Sequence, residues 1–174
     1  MKRISGVLVG IVKNLKDPQG EGRIELEFPT LPGSPKSSWA PVAAPLAGKQ
    51  RGAFFMPEKG DEVLVSFEQG DFDHPFIVGF LWNGVDKPPE SDPKNRVIKT
   101  PGGHTLRFED TDSKKKVILK SDAGHSVEID DASKKMTLLT QGSLSVVLDD
   151  GASSITLNGG GRILELKSKK VTIQ

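Results

Sequence analysis

The chain has 174 residues, with 24 Lys and Arg against 23 Asp and Glu, and it contains no cysteine and no tyrosine. Balanced charge gives no global basic field for nucleic acid, and the lack of cysteine excludes disulfides and thiolate metal sites. No apolar run approaches the roughly 20 residues that a membrane helix needs. The 19 Gly and 12 Pro, without sustained helical periodicity, predict an all-β protein.

The first part of the chain is predicted to contain short strands. Residues 6–12 and 23–28 flank a turn that begins at Asp17 and Pro18, residue types that favour turns. Further strands are predicted at 39–43, 62–67 and 76–82. About five strands without a helical pattern are typical of a small closed barrel of the OB type. We therefore predict an OB-fold barrel at residues 1–86.

A proline-rich segment follows the predicted barrel. The sequence Asp86-Lys-Pro-Pro-Glu-Ser-Asp-Pro favours extended and stiff backbone, so it should act as a spacer. We predict this linker at residues 87–98 and a separate region of different character at 99–174.

A strand motif recurs four times in the last region. Phe108, Ile129, Leu148 and Leu166 hold equivalent positions, separated by 21, 19 and 18 residues, and each copy continues into a second strand. A period of about 20 residues is typical of a stacked array, in which one repeat cannot bury its own apolar face. The repeats therefore predict an elongated structural element rather than a catalytic domain.

Within the repeats, apolar and polar residues alternate, which places one apolar set on a single face of the strands. One such face without a second layer would leave an exposed apolar surface and open strand edges. Three chains intertwined about an axis would bury this face, and we favour that homotrimer over a single-chain β-helix or a flat meander. The predicted inward face consists of Leu106, Phe108, Val117, Leu119, Val127, Ile129, Met136, Leu138, Val146, Leu148, Ile155, Leu157, Leu164, Leu166, Val171 and Ile173.

Residues that suggest chemistry have structural interpretations, which we favour. His104 and His125 hold equivalent positions in two repeats and would form metal-binding rings in a trimer, but a repeated Gly-His turn also explains them. The acidic pairs at 109–110, 130–131 and 149–150 suggest acid–base or calcium chemistry. They lie at predicted turn starts, where Asp bonds local amides. We predict no catalytic site, no metal and no cofactor.

OB barrels often bind single-stranded nucleic acid through aromatic platforms in a basic groove. The aromatic residues lie on apolar strands, where we attribute them to core packing: Phe54, Phe55, Phe67, Phe76, Phe80 and Trp82. We therefore predict no nucleic-acid binding. The alternative function is an OB-fold binding module, for nucleic acid or oligosaccharide, with a trimerising β-stalk.

Several stretches resemble one known family over nearly the whole chain. They are residues 12–29, 38–43, 52–71 and 74–84, and residues 100–111 are similar to the start of the family's β-prism. This family comprises phage baseplate assembly protein V and the C-terminal part of the valine-glycine-repeat (VgrG) spikes of type VI secretion. It also includes the spikes of related extracellular contractile injection systems.

The resemblance implies a homotrimer with an OB collar and a triple-stranded β-helix, or β-prism, needle. It implies a structural, non-enzymatic central spike that leads the tail tube and punctures the target membrane. Its partners would be hub and tail-tube proteins at the OB end and, transiently, that membrane. Such a spike is assembled in the bacterial cytoplasm as part of a baseplate and becomes a component of a virion or an injection particle.

The last strand is predicted to bind a tip partner through Val171, Thr172, Ile173 and Gln174. Strands that end together leave unpaired backbone groups, which invite strand addition. The resemblance implies that this partner is a conical tip protein of the proline-alanine-alanine-arginine (PAAR) repeat class. Because the barrel begins close to Met1, the resemblance also implies a spike without a hub domain, or a piece of a longer spike.

Overall fold

The computed structural model describes residues 3–167 and 170–173. The chain divides into two compact units, Met1–Lys87 and Pro88–Gln174, which we call the barrel unit and the repeat unit. In the described residues, the helical structure is limited to one 3₁₀ turn at Glu68–Gly70. The prediction of an all-β protein is therefore confirmed.

The barrel unit is built on a four-stranded antiparallel sheet in the order β2-β1-β5-β6. A separate two-stranded hairpin joins β3 to β4. The strands are β1 (Val7–Asn14), β2 (Glu25–Glu27), β3 (Ala47–Gly48), β4 (Arg51–Gly52), β5 (Glu62–Phe67) and β6 (Pro75–Leu81).

The strand predicted at 39–43 is not a regular strand, because it forms only single bridges. Ala40 and Ile24 exchange two backbone hydrogen bonds of 2.9 Å, while the N–H of Ile77 donates to the Pro41 carbonyl at 3.0 Å. Pro41 has no N–H to donate, so it interrupts a continuous ladder. The segment nonetheless bonds beside β2 on one side and to β6 on the other, which closes the four-stranded sheet into a barrel.

Alternating side chains of the strands fill the barrel. On β5, Val63, Val65 and Phe67 point inward, while residues next to them in sequence are partly exposed. The rings of Phe28, Phe67 and Phe72 cluster with centroids 5.5–5.7 Å apart. The buried core consists of Val12, Ile24, Leu26, Phe28, Ala40, Val63, Val65, Phe67 and Ile77.

Core packing explains Phe67 but not the other aromatic residues for which it was predicted. Phe54 is 80% exposed and Trp82 is 70% exposed, and the remaining three are also exposed: Phe55, Phe76 and Phe80. The sequence-based interpretation is wrong for these five, because strand alternation identifies two faces without showing which one another layer covers.

The repeat unit is one antiparallel sheet of nine strands that pair in chain order. The strands are β7 (Arg96–Lys99), β8 (Thr105–Thr111), β9 (Lys114–Lys120), β10 (Ser126–Asp130), β11 (Lys135–Leu139), β12 (Ser145–Asp149), β13 (Ser154–Asn158), β14 (Ile163–Lys167) and β15 (Lys170–Ile173). Within a single chain this sheet is a meander. β7 begins inside the segment 87–98 that was predicted as linker.

The segment before β7 folds back onto β8 through Glu90. Its carboxylate accepts the backbone N–H groups of Ser91 at 2.8 Å and Asp92 at 3.0 Å, and it forms an ion pair with Arg107. These amide bonds and the guanidinium lower the pKa of Glu90 to about 2. The proline-rich segment is thus fixed to β8 by a partly buried, charge-assisted network rather than by its prolines alone.

Candidate assembly surface

The strand register places the predicted inward residues on one face of the nine-stranded sheet, in two rows. The first row runs through Phe108, Val117, Ile129, Met136, Leu148, Ile155, Leu166 and Val171. The second row runs through Leu106, Leu119, Val127, Leu138, Val146, Leu157 and Leu164. We call this surface the apolar face. The side chain of Ile173, predicted on this face, and Gln174, predicted only as a tip-binding residue, lie outside the described residues.

Within the part of the repeat unit that the structure describes, no second layer covers the apolar face. Leu119 is 54% exposed, Leu138 is 51% exposed and Val171 is 64% exposed. Among the described side chains of the repeat unit, every one is at least partly accessible to solvent. A groove of about 570 Å³ runs along the second row, between Leu119, Leu138 and Leu157, and reaches the turns that contain His125 and Leu144. A contiguous apolar surface of this kind marks an interaction site.

The opposite face carries a row of alternating charges that also follows the register. Its members are register partners on successive strands, in the order Glu109, Lys116, Asp130, Lys135 and Asp149. Lys116 Nζ lies 3.0 Å from Asp130 Oδ2, and Lys135 Nζ lies 2.9 Å from Asp149 Oδ2. The Lys116 contact lowers the pKa of Asp130 to about 2, and Lys135 lowers the pKa of Asp149. This charged face suits water, so the two faces differ sharply in character.

Two of the three acidic pairs, 130–131 and 149–150, begin turns between strands as predicted. The prediction is wrong for the pair 109–110, because both residues lie inside β8, opposite Lys116 and Lys115 of β9. Asp130 Oδ1 accepts the N–H of Ser133 at 3.1 Å, and Asp149 Oδ1 accepts the N–H of Ala152 at 2.9 Å. These amide bonds and the ion pairs with lysine give both carboxylates hydrogen-bond partners within the sheet. Their arrangement is that of turn-forming residues in a charged ladder, not of two carboxylates that flank a substrate.

The turns at the opposite ends of the strands, which precede β8, β10 and β12, repeat one hydrogen-bond pattern. The hydroxyl of Thr100 accepts the backbone N–H of His104, and the hydroxyl of Ser121 accepts that of His125, each at 3.1 Å. Thr140 does the same for Leu144 at 3.1 Å. The favoured interpretation of the histidines as parts of a repeated turn is confirmed.

Each histidine also connects its turn to the next one. His104 Nδ1 accepts the N–H of Asp122 at 3.2 Å, and His125 Nδ1 accepts the N–H of Gln141 at 3.3 Å. The bond requires an unprotonated Nδ1 in each ring. Within residues 3–167 and 170–173, no three His, Cys, Asp or Glu side chains are grouped so as to hold a metal ion.

An ion pair between the enclosed Asp17 carboxylate and the partly exposed Arg23 guanidinium holds the loop between β1 and β2 in the barrel unit. The Asp17 carboxylate accepts the N–H of Gln19 at 3.1 Å and of Glu21 at 3.0 Å, and it receives Arg23 Nη2 at 2.8 Å. Its side chain is 3% exposed, and Arg23 keeps the pKa of Asp17 well below its usual range. The sequence predicts the turn from Asp and Pro, but it gives no sign that Arg23 is the partner.

Comparison with known proteins identifies the barrel. Residues 8–82 match the model of the type VI secretion system/phage-baseplate injector OB domain. The barrel unit is therefore an OB domain of the injector class.

The relatives of the chain include spike proteins of type VI secretion systems. It is 30% identical over 128 residues to the type VI secretion system spike protein VgrG3 of Vibrio cholerae, with 63% of this chain and 13% of that protein covered. It is 36% identical over 92 residues to the spike protein VgrG5 of Pseudomonas aeruginosa, with 48% and 12% covered. A third relative, the actin cross-linking toxin VgrG1 of Vibrio cholerae, is 31% identical over 128 residues, with 63% and 12% covered.

The predicted resemblance to VgrG-type spike proteins is thereby confirmed, and the chain is related to them through its OB domain and the residues beyond it. The match spans only 12–13% of the length of these relatives. In the part of the chain that the structure describes, no helix has the length and apolar character needed to cross a membrane.

Proposed function

We propose that the chain forms the collar and needle of the central spike in a contractile injection machine, as an intertwined homotrimer. The observation that carries this proposal is the apolar face, which two continuous rows of large side chains form and no part of the described chain covers. The names of the relatives support a place in the spike of a type VI secretion system or a phage baseplate.

The energetics favour self-assembly through the apolar face. Complete burial of a Val, Leu, Ile, Phe or Met side chain contributes about 1.5–3 kcal/mol. An ion pair on the charged face contributes only about 0–1 kcal/mol, so the apolar rows dominate. Burial of these rows from three chains about one axis supplies a shared core for an element that has none of its own.

A trimer also accounts for the edges of the sheet. β7 and β15 are the outermost strands in the order of the nine-stranded sheet. Two sheets stacked face to face would cover the apolar rows and leave such edges open. Three sheets wound around each other bring each edge next to another chain, as a triple-stranded β-helix requires, and the charged faces then point outward into water.

The role of this spike is mechanical rather than enzymatic. A needle with one core shared among three chains resists separation when force is applied along it, which suits a part that leads the tail tube through a target membrane. Hub and tail-tube proteins adjoin the OB end. The spike is assembled with its baseplate in the bacterial cytoplasm and is carried to the target cell envelope by the machine.

A PAAR-type tip protein binds the last strand of the sheet in this proposal, at Val171, Thr172, Ile173 and Gln174. β15 is the outermost strand, and strand addition needs such an edge. Removal of residues 167–174 should abolish binding of the tip protein in a pull-down with the full chain as reference. Equal capture by both forms would contradict this partner site.

Molar mass in solution tests the trimer. Size exclusion with light scattering should give three chains per particle at micromolar concentration, without dissociation on dilution. A monomer or a dimer would overturn the proposal, because either leaves the apolar face or the sheet edges without the partner on which the argument depends.

A further inference from the structure

Two histidines join consecutive turns of the repeat unit through bonds that strand pairing does not require. The first three turns on this side lie at 100–104, 121–125 and 140–144, and their last residues are His104, His125 and Leu144. We propose that the two rings form a proton-sensitive latch, which fastens these turns at neutral pH and releases them in mild acid. The latch lies within one chain, so it does not depend on the homotrimer.

Each ring accepts a backbone amide of the following turn. His104 Nδ1 lies 3.2 Å from the amide nitrogen of Asp122, and His125 Nδ1 lies 3.3 Å from that of Gln141. A backbone N–H only donates, so the ring nitrogen that it meets must carry a lone pair. Rotation of the ring by half a turn would place a carbon atom there and lose the bond. The turns therefore select the neutral ring with its proton on Nε2.

The third turn shows the same position without a ring. Leu144 Cδ2 lies 3.6 Å from the place that a side-chain carbon on Gly160 would take, so it contacts the following turn through an apolar group that does not titrate. The backbones of the three turns match, because the first residue of each donates its N–H to the carbonyl of the last at 2.9 Å. A response to protons is therefore expected in the first two turns and not in the third.

Protonation of a ring removes the acceptor and sets a second N–H against the amide. Both rings are exposed, so protons from the solvent reach them. A free imidazole takes up its proton at a pH of about 6.5. The rings do so freely in released turns, whereas in latched turns the amide bond must break first. Stability that the latch supplies is therefore present at neutral pH and is lost as the pH falls through this range.

The charged groups around the first turn oppose each other. A side-chain carbon on Gly103 would collide with the carboxylate of Asp122, so this carboxylate lies against the turn that contains His104. It favours a charged ring. Lys99 and Lys120 are the register partners of Thr105 on the two neighbouring strands, and their ammonium groups disfavour a charged ring. The turn that faces His125 offers it the neutral Gln141. The amide bonds thus decide the direction of the response.

The latch connects three hairpins of the sheet. The turns join β7 to β8, β9 to β10 and β11 to β12, so His104 fastens the first hairpin to the second and His125 fastens the second to the third. Release leaves the strand ladder paired and removes only these connections between turns. The first six strands of the sheet therefore become less stiff in mild acid while they stay folded.

Hydrogen exchange on the full-length chain tests the latch. His74→Gln is introduced throughout, because His74 pairs with Asp71 in the barrel unit and titrates in the same range. Between about pH 7.5 and about pH 5.5, the amides of Asp122 and Gln141 should lose several-fold of their protection, after correction for the intrinsic effect of pH. The amide of Leu144 is the internal reference and should keep its protection, because it is bonded to a hydroxyl group.

Calorimetry on the same samples gives a second readout. With a loss of about 1 kcal/mol, the unfolding transition of a unit of this size falls by roughly 4–8 °C, which is the decrease expected for the repeat unit over this pH range. The transition of the barrel unit should not change in the His74→Gln background.

The double variant His104→Asn with His125→Asn is the matched control. An Asn carbonyl oxygen can stand in the place of Nδ1 and accept the same amide, but it takes up no proton. Its exchange and unfolding should be the same at both pH values. His104→Leu with His125→Leu, which copies the third turn, should leave the two amides unprotected at both. Protection that does not change with pH in the presence of both histidines, or a change that persists in the Asn variant, would overturn the latch.

Discussion

Lys116 and Asp130 face each other directly across β9 and β10, with 3.0 Å between Nζ and Oδ2. The ammonium of Lys116 also reaches Glu128 Oε1 at 2.6 Å. This small network lies on the charged face, and Lys116 lowers the pKa of Asp130 to about 2. Because this pKa is lower in the folded chain than in the unfolded chain, the repeat unit should lose stability as the pH falls.

We predict that acid destabilises the repeat unit as the pH falls from about 4 to about 2. The unfolded chain has an Asp pKa of about 3.9, so it binds protons before the folded chain does. The contribution of Asp130 is therefore complete above pH 4 and is lost as the pH falls through the folded value. Thermal unfolding measured between pH 2 and 6 should show this slope, and Asp130→Asn should flatten it. A variant as acid-sensitive as the wild type would contradict the assignment.

We predict that Leu148→Lys prevents assembly while the barrel unit still folds. In the trimer this change places three ammonium groups near one axis without partners, at a cost on the order of several kcal/mol. Light scattering should give monomers, and circular dichroism should still show a cooperative barrel transition. Val147→Lys is the matched control, since Val147 pairs with Thr137 and Thr156 on the charged face. A Leu148→Lys trimer that melts within a few degrees of the wild type would show that the inward face is misassigned.

We predict that Arg23→Met destabilises the barrel unit specifically. The substitution leaves the Asp17 carboxylate enclosed, with its amide donors but without its cation. Arg23→Lys should rescue only in part, because a lysine lacks the planar fork that bonds both carboxylate oxygens. Calorimetry should show a lower barrel transition and an unchanged repeat-unit transition. Lys16→Met, at an exposed side chain of the same loop, makes the same loss of a cation and serves as the control, which should unfold like the wild type.

We predict no peptidoglycan hydrolysis and no appreciable affinity for single-stranded DNA at physiological salt. The carboxylates of the charged face are engaged in turns and ion pairs, and the exposed aromatics lie beside acidic as well as basic residues. A zymogram should remain uncleared. Fluorescence anisotropy with a labelled oligonucleotide should give no saturable binding below micromolar protein. A clear zone, or a tight and salt-sensitive complex, would favour an enzyme or an OB-fold binding module instead.

The repeat strands are predictable from sequence because their pairing is local. Alternation fixes which residues share a face, and the short turns fix the register, so Phe108 and Val117 could be placed opposite each other without long-range information. The barrel is harder to predict. The closing role of the segment around Pro41, and the Arg23 partner of Asp17, depend on contacts between residues that alternation does not relate.

The exposed aromatics show a second limit of sequence reasoning. Phe54 and Phe76 have the hydrophobicity of core residues, and a single sequence does not show which face of a strand is covered by another layer of the same domain. The difference lies in the surrounding layers, which only the fold reveals.

Every strand of the nine-stranded sheet pairs only with its neighbours in the chain. The number of strands in the sheet can therefore change without altering the pairing of the remaining strands. Removing two consecutive strands with their turns, such as residues 126–144, keeps both the strand direction and the parity of the faces. The sheet can therefore gain or lose hairpins in evolution without a change in the barrel. The length of the repeat unit can therefore change in steps of one hairpin, while the OB domain keeps its own contacts.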